Sequence, residues 1–313
     1  MMTTQQIFKK TAGAISVLLL SMTLGFGVSI LTTPDPFKVT WNGSVGTVKT
    51  DIRYDTGEKH TFDLYLPADK SKPGYGLVIY LHAGGFTTGD KSDDTKLHHY
   101  FTAKGYVSAG INYSLRTEQS AANVLQMSNE IKTAIAKVVE QARAEGYNVD
   151  RMAVMGGSAG GALAMIYAYR DGKDAPVPIK FVMYQVAPSG FEPADWYGLD
   201  QDASAAAAWV SVMTGTATTP QMIENGEYQA LLKPISGYAW VSEHSPPTLC
   251  AFGKLDKVVP FATTKRLFHA LEKYQVPHDC YVFEKSGHGL HRDKHLSEQF
   301  TQSLNNYLNK YLQ

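Results

Sequence analysis

The chain has 313 residues, of which 44% are hydrophobic, and this is enough for one sizeable core. Its formal net charge is zero, with 29 basic and 29 acidic side chains, so no excess charge draws it to nucleic acid or to an anionic surface. The sequence contains no internal repeat, and its low-complexity content is a run of four alanines at residues 205–208. Composition therefore excludes a basic nucleic-acid-binding protein and a repeat array.

The N-terminal segment differs from the remainder of the chain. Lys9 and Lys10 precede residues 11–34, which contain no charged side chain. A positive region followed by an apolar region is typical of an export signal, and the apolar stretch is close to the ~20 residues that span a bilayer. We interpret residues 1–34 as a signal peptide or membrane anchor and expect an exported protein, secreted or anchored on the extracytoplasmic side. A buried N-terminal helix is the alternative.

Strands and helices alternate through the following domain, residues 35–313. Two strands at residues 44–54 and 60–66 are predicted to form an antiparallel edge pair. Further strands are predicted at residues 76–81, 106–112, 152–155, 179–186, 248–253 and 279–284, with helices at 96–104, 121–145, 159–169 and 296–311. This alternation predicts an α/β fold with a mostly parallel central sheet flanked by helices on both faces.

One long segment, residues 187–245, contains no predicted strand. A long insertion in a compact domain is usually a lid or a binding loop, so we predict a helical cap beside the site. The alternative is that residues 187–245 are a surface segment that packs on the domain in the ordinary way and lines no site.

The sequence also allows structural predictions for two pairs of residues outside the motifs. His98 and His99 are predicted to lie on a solvated helix face. Cys250 and Cys280 lie in apolar runs that are predicted as core strands. Export would allow them to oxidise, but buried free cysteines are common and a disulfide scaffold is not indicated in a domain of this size.

Ser158 lies within Gly156–Gly161, directly after an apolar strand. This Gly-x-Ser-x-Gly pattern predicts a strained turn from strand to helix that exposes a hydroxyl above the sheet. Glycines allow the positive φ and the close helix–strand approach that such a turn requires. The N-terminus of the following helix also favours developing negative charge. The pattern fits neither a dinucleotide fingerprint nor a phosphate loop.

A carboxylate and an imidazole follow Ser158 along the chain, each shortly after a predicted strand. Asp256 comes after the strand at residues 248–253, and His288 comes after the strand at 279–284. Serine needs an adjacent base, histidine can take its proton at neutral pH, and a buried carboxylate orients the imidazole. Glu284 could compete with Asp256 for His288, and either loop residue could instead be simply solvated.

A metal site at His288, His291 and His295 is disfavoured. A catalytic zinc site needs a set of ligands with matched geometry, and the sequence has no His-Glu-x-x-His pattern. We therefore predict no metal.

The loop His82-Ala83-Gly84-Gly85 resembles the His-Gly-Gly-Gly loop of lipases and esterases. Together with the motifs around Ser158, Asp256 and His288, it makes residues 45–313 resemble the α/β-hydrolase superfamily, in the branch of small carboxylesterases and acetyl esterases related to hormone-sensitive lipase. The resemblance implies an oxyanion hole from the amides of Gly84 or Gly85 and of Ala159. Ala83 departs from the usual glycine, and His82 is expected to brace the loop.

The resemblance implies a serine esterase that cleaves esters of short acyl groups through an acyl-enzyme and needs no cofactor. Its substrate would be a small-molecule or carbohydrate ester, with acetyl and feruloyl esters of carbohydrates as candidates. No nucleic-acid partner is expected, any membrane contact would be through the N-terminal segment, and the oligomeric state is left open. The alternatives are an amide-cleaving hydrolase of exopeptidase or arylformamidase type and a catalytically silent binding protein on the same fold.

Overall fold

The structure is a computed structural model, and it describes residues 36–313. Its centre is an eight-stranded sheet with the spatial order β1-β2-β4-β3-β5-β6-β7-β8. The strands are β1 (Gly46–Arg53), β2 (Thr61–Pro67), β3 (Tyr75–Leu81), β4 (Val107–Ile111), β5 (Val149–Gly157), β6 (Ile179–Gln185), β7 (Thr248–Gly253) and β8 (His278–Phe283). β1 pairs antiparallel with β2, β2 pairs antiparallel with β4, and all other pairs are parallel.

Eight α-helices accompany the sheet in the described part of the chain. They are α1 (Thr95–Ala103), α2 (Val124–Ala144), α3 (Ser158–Ile166), α4 (Ala203–Thr214), α5 (Pro220–Glu224), α6 (Tyr228–Leu232), α7 (Thr264–Lys273) and α8 (Lys294–Tyr307). The predicted mostly parallel sheet with flanking helices is confirmed, and the predicted antiparallel edge pair corresponds to β1 and β2.

Both faces of the central strands are buried, which explains their continuous apolar sequences. In β3 the side chains of Leu77, Ile79 and Leu81 belong to one hydrophobic cluster, and those of Val78 and Tyr80 belong to a second cluster on the opposite face. This alternation is the two-residue period of a strand. The strands are therefore packed on both faces, and the predicted site residues follow the carboxyl ends of these well-packed strands.

Residues 187–245 contain α4, α5 and α6 together with short 3₁₀ turns, and no strand. The predicted signal peptide or anchor at residues 1–34 lies outside the described residues. Within residues 36–313, no helix combines the length and apolar character needed to cross a membrane.

The expectation of free cysteines is wrong, because Cys250 and Cys280 form a disulfide. Cys250 in β7 lies directly opposite Cys280 in β8 in the parallel register, with a Cα–Cα distance of 4.6 Å. Both strands were correctly predicted, but the register that places the two thiols side by side is a long-range property that neither apolar run encodes.

The expected solvation of His98 and His99 is also wrong. α1 lies against the sheet, and His98 is fully buried, with its Nδ1 2.7 Å from the Ser108 hydroxyl and its ring stacked on Tyr65 at 4.7 Å. His99 stacks on the Trp41 ring at 4.0 Å. Burial, with a smaller contribution from neighbouring His99, lowers the pKa of His98 to about 3. The buried imidazole is therefore neutral, and its Nε2 has no hydrogen-bond partner.

We predict that His98 makes folding stability fall in acid. Between its unfolded pKa of about 6.5 and its folded pKa, the unfolded chain binds a proton that the folded chain does not, so stability falls by up to about 1.4 kcal/mol per pH unit. Urea unfolding at pH 7 and pH 4.5 of the wild type and of His98→Leu should show that the stability difference between them shifts in favour of the variant at the lower pH. The comparison cancels the pH-dependent contributions of other titrating groups such as Asp94. Burial and the charge of Asp93 raise the pKa of Asp94 to about 7. A pH-independent difference would contradict the prediction.

Candidate active site

Ser158 is the first residue of α3 and lies on a strained turn between β5 and that helix. Its φ is +50°, which a side chain other than glycine rarely adopts, and its exposed fraction is 5%. The turn is tight because α3 begins in direct contact with the end of β3. A Cβ at Gly160 would collide with the carbonyl groups of Leu81 and His82. The glycines of the motif therefore let the helix press onto the strand that leads into the His82 loop.

The structure brings Ser158, His288 and Asp256 together in one chain of hydrogen bonds. The Nε2 atom of His288 lies 3.0 Å from the Ser158 Oγ, and its Nδ1 atom lies 2.7 Å from the Asp256 Oδ2. Because a carboxylate accepts, Nδ1 carries the proton and Nε2 is left to accept from the serine hydroxyl. This is the arrangement that a serine nucleophile needs.

The carboxylate of Asp256 is held rigidly. Its side chain is 3% exposed, and its Oδ1 accepts hydrogen bonds from the amides of Val258 at 2.8 Å and Val259 at 3.0 Å. These bonds leave Oδ2 free to face His288. The competing residue, Glu284, is exposed at the end of β8 and is not the partner of His288.

The loops after β7 and β8 are joined to each other. The amide of Lys254 donates to the Phe283 carbonyl at 2.9 Å, and the amide of Leu255 donates to the Ser286 carbonyl at 3.0 Å. The Ser286 hydroxyl in turn donates to Asp293 at 2.6 Å. Asp256 and His288 therefore lie on neighbouring loops whose separation is fixed by the β7–β8 pairing.

The loop after β3 has an unusual backbone. Gly84, Gly85 and Phe86 have φ values of +124°, +60° and +66°. The Gly84 carbonyl accepts from the amides of Thr87 at 3.1 Å and Thr88 at 3.0 Å, which closes the loop on itself. A Cβ at Gly84 would collide with the Thr88 carbonyl, so both φ and space require glycine. Since α3 packs on the end of β3, this loop lies beside the turn that carries Ser158 and Ala159.

His82 lies beneath this loop rather than in the hydrogen-bond chain. Its Nδ1 is 2.7 Å from the Ala83 carbonyl oxygen, and its ring stacks on Tyr113 at 4.3 Å. The Tyr113 hydroxyl donates to the His82 carbonyl at 2.8 Å. Burial lowers the pKa of His82, although its bond to Ala83 opposes this. The neutral ring therefore supports the loop backbone.

A buried lysine that the sequence analysis missed anchors the far end of the loop. Lys91 is 7% exposed, and its ammonium lies 2.9 Å from Asp51 and 3.1 Å from Asp63. Burial alone would lower its pKa, but the hydrogen bonds and charges of the two carboxylates outweigh it and raise the pKa. The Lys91 amide also donates to the Asn112 side chain at 2.7 Å. A lysine in a polar loop carries no sequence mark of such burial.

Aromatic side chains join residues 187–245 to the His82 loop. The Phe191 ring lies 5.9 Å from Phe86, and Trp196 and Trp209 pack together at 4.6 Å beside it. The Trp209 indole donates to the Phe191 carbonyl at 2.8 Å. We call Phe86, Phe191, Trp196 and Trp209 the aromatic wall. It places the inserted segment against the loop next to Ser158.

His291 and His295 do not join His288 in a cluster. His295 is exposed and lies 3.9 Å from Glu298 on its own helix. Throughout residues 36–313, no group of three or more histidine, cysteine or acidic side chains is placed to hold a metal ion.

Comparison with known proteins identifies similar esterases. The chain is 31% identical to the ethyl acetate hydrolase of Pseudomonas putida over 123 residues, which is 38% of each protein. It is 29% identical to esterase LipI of Mycobacterium tuberculosis over 181 residues, which is 54% of this chain and 55% of LipI. The matches thus span 38% and 55% of the lengths of these curated relatives.

The fold is also found among solved structures. Esterase B from Lactobacillus rhamnosis, inhibited by a C4-C4 SN3 tributyrin phosphonate, superimposes with a TM-score of 0.70 at 16% identity, covering 98% of this chain and 96% of that one. This likeness confirms the α/β-hydrolase fold. The family model BD-FAE matches residues 62–271, which is more than half of the 313-residue chain. The chain therefore belongs to the BD-FAE family, an esterase-type family of α/β-hydrolases.

Proposed function

We propose that this protein is a carboxylic ester hydrolase in which Ser158 is the nucleophile, His288 the general base and acid, and Asp256 the residue that orients His288. The observation that carries the proposal is the unbroken hydrogen-bond chain from Ser158 through His288 to the buried Asp256. The names of the similar proteins, an ethyl acetate hydrolase and two esterases, support the same reaction.

The reaction begins when Oγ of Ser158 attacks the acyl carbon and its proton passes to Nε2 of His288. Asp256 stabilises the imidazolium that forms. The electron pair of the carbonyl moves onto its oxygen, and the amides of Ala159 and of Gly84 or Gly85 donate to this oxyanion. Collapse of the intermediate breaks the bond to the alcohol, which leaves with the proton from Nε2. Water then releases the acid from the acyl-enzyme by the same steps.

The electrostatics of the site favour this charge development. Ser158 and Ala159 open α3, whose unpaired amides and dipole favour negative charge at its N-terminus. The loop at Gly84 presents backbone in a conformation that is fixed before substrate arrives, so donors aimed at an oxyanion need no reorganisation.

The aromatic wall supports a preference for short acyl groups. Phe86 directly follows Gly85, and its ring packs toward Phe191. Bulky rings next to the Gly84 loop would restrict the space available to an acyl chain that extends on this side. We infer that acyl groups of two to about four carbons are accepted best, because longer chains would have to displace closely packed rings.

We predict that Ser158→Ala and His288→Ala each lower kcat for p-nitrophenyl acetate by roughly four orders of magnitude, because each breaks the hydrogen-bond chain. Initial rates with p-nitrophenyl esters from C2 to C12 measure this, and wild-type activity should peak at C2 to C4. Circular dichroism checks that both variants are folded.

The exposed His295 provides a matched control, since His295→Ala should retain wild-type kcat. Undiminished activity of Ser158→Ala would refute the serine mechanism. A folded wild type that cleaves amide substrates such as N-formyl anilides faster than every ester would instead favour the amide-cleaving alternative.

We also predict that Gly84→Ala lowers kcat about 100-fold with a smaller change in KM, because oxyanion donors act on the transition state. A Cβ there collides with the Thr88 carbonyl and disfavours the required φ, so the loop must shift. Steady-state kinetics with p-nitrophenyl acetate test this. Gly43→Ala is the matched control, because nothing lies within 4 Å of its added Cβ. A kcat of Gly84→Ala within twofold of the wild type would remove this loop from the mechanism.

A further inference from the structure

Lys91 is a buried cation that the proposed reaction does not use. Among the lysines and arginines of residues 36–313, it is the one whose side chain is buried. It ends the Gly84 loop (residues 82–91), and its ammonium reaches Asp51 in β1 and Asp63 in β2. The Asp63 side chain is 6% exposed, so this ion pair is shielded from water. A buried ion pair is seldom worth more stability than well-packed apolar side chains, which points to a use in fixing geometry.

Asn112, directly after β4, holds the backbone of the same part of the loop. Its Oδ1 accepts from the Lys91 amide at 2.7 Å, and its Nδ2 donates to the Asp90 carboxylate at 2.8 Å. Asn112 is fixed in turn, because its amide donates to the Thr61 carbonyl at 2.9 Å and its carbonyl accepts from the Tyr54 hydroxyl at 2.8 Å. The end of the loop is therefore tied to β1 and β2 through the ammonium and to β4 through the backbone.

The end of the Gly84 loop packs directly on its beginning. Gly89 has a φ of +100°, and a Cβ there would collide with the Ala83 carbonyl and the His82 ring. The preceding residue, Thr88, donates its amide to the Gly84 carbonyl. A displacement at the end of the loop is therefore passed to Gly84 through contacts of backbone with backbone.

We propose that Lys91 is a positioning residue for ester hydrolysis, because its tie to Asp51 and Asp63 holds the amides of Gly84 and Gly85 where they can receive the oxyanion. This role rests on the proposed function and adds to it a residue that touches no reacting atom. The start of the loop is held by the packing of α3 on β3, and Lys91 holds the other end. Glycine-rich backbone has little stiffness of its own, so donors within it depend on such support.

The first test is Lys91→Met, which removes the ammonium and keeps most of the apolar stem. It should lower kcat for p-nitrophenyl acetate roughly tenfold and leave KM within about twofold, because displaced oxyanion donors weaken the transition state more than the bound substrate. Inhibition by 1,1,1-trifluoroacetone, whose adduct with Ser158 carries an oxyanion, should weaken by a similar factor. The amides of residues 82–91 should also exchange with deuterium faster, as measured by mass spectrometry.

A double variant separates positioning from stability. Lys91→Met leaves the buried Asp63 carboxylate without its cation and should lower the melting temperature. Lys91→Met/Asp63→Asn removes both charges and keeps an acceptor for the Asp51 amide, which donates to Asp63 at 2.8 Å. It should recover much of the lost melting temperature without recovering kcat.

Lys49→Met is the matched control, since Lys49 also lies in β1 but forms an exposed ion pair with Glu145. It should keep wild-type kcat and wild-type exchange at residues 82–91. Recovery of kcat together with stability in the double variant would make Lys91 purely structural and overturn the positioning role. A kcat of Lys91→Met within twofold of the wild type, or unchanged inhibition by trifluoroacetone, would overturn it as well. If the wild type hydrolyses no ester, the proposed function fails, and hydrogen exchange still decides whether Lys91 orders the loop.

Discussion

The close contact between the start of α3 and the end of β3 is the constraint on which the geometry of the site depends. Because Gly160 has no Cβ, the helix can lie directly on the carbonyls of Leu81 and His82. This contact fixes the Ser158 turn and the Gly84 loop relative to each other, since the turn begins α3 and the loop continues from β3. A nucleophile and its oxyanion donors must be placed together to a fraction of an ångström, and backbone packed against backbone is the stiffest means of doing so.

The positions of Asp256 and His288 depend on a second rigid pair of elements, the strands β7 and β8. Asp256 and His288 follow β7 and β8, and the two strands are joined by backbone hydrogen bonds in register and by the Cys250–Cys280 disulfide. The disulfide lies within the strands and the loops cross-link beyond their ends, so the spacing of the two loops is set twice. The His288 imidazole then needs only two hydrogen bonds to be oriented between Ser158 and Asp256. Side chains on loops can therefore be positioned precisely when the strands that precede those loops are held rigidly.

Local pattern was sufficient for much of this organisation. Continuous apolar runs located the buried strands, and the turns that follow three of them located Ser158, Asp256 and His288, because in a parallel sheet the carboxyl ends of the strands meet at one edge. What could not be predicted depends on register and on packing between distant elements. The pairing of Cys250 with Cys280 requires the β7–β8 register, and the burial of His98 requires knowledge of which face of α1 meets the sheet. Lys91 is buried only because Asp51 and Asp63 arrive from the edge strands to neutralise it.

The partial exposure of His288 suits the proposed two-step reaction. The His288 side chain is 19% exposed, whereas the side chain of Asp256, its hydrogen-bond partner, is 3% exposed. In the proposed reaction, water must take the place of the departed alcohol at Nε2 of His288, because the same imidazole would then act as base for the attacking water. A closed alcohol side would retain the first product and exclude the second reactant. An imidazole that stays in contact with solvent can release the alcohol once the ester bond has broken and then take a proton from water at the same atom.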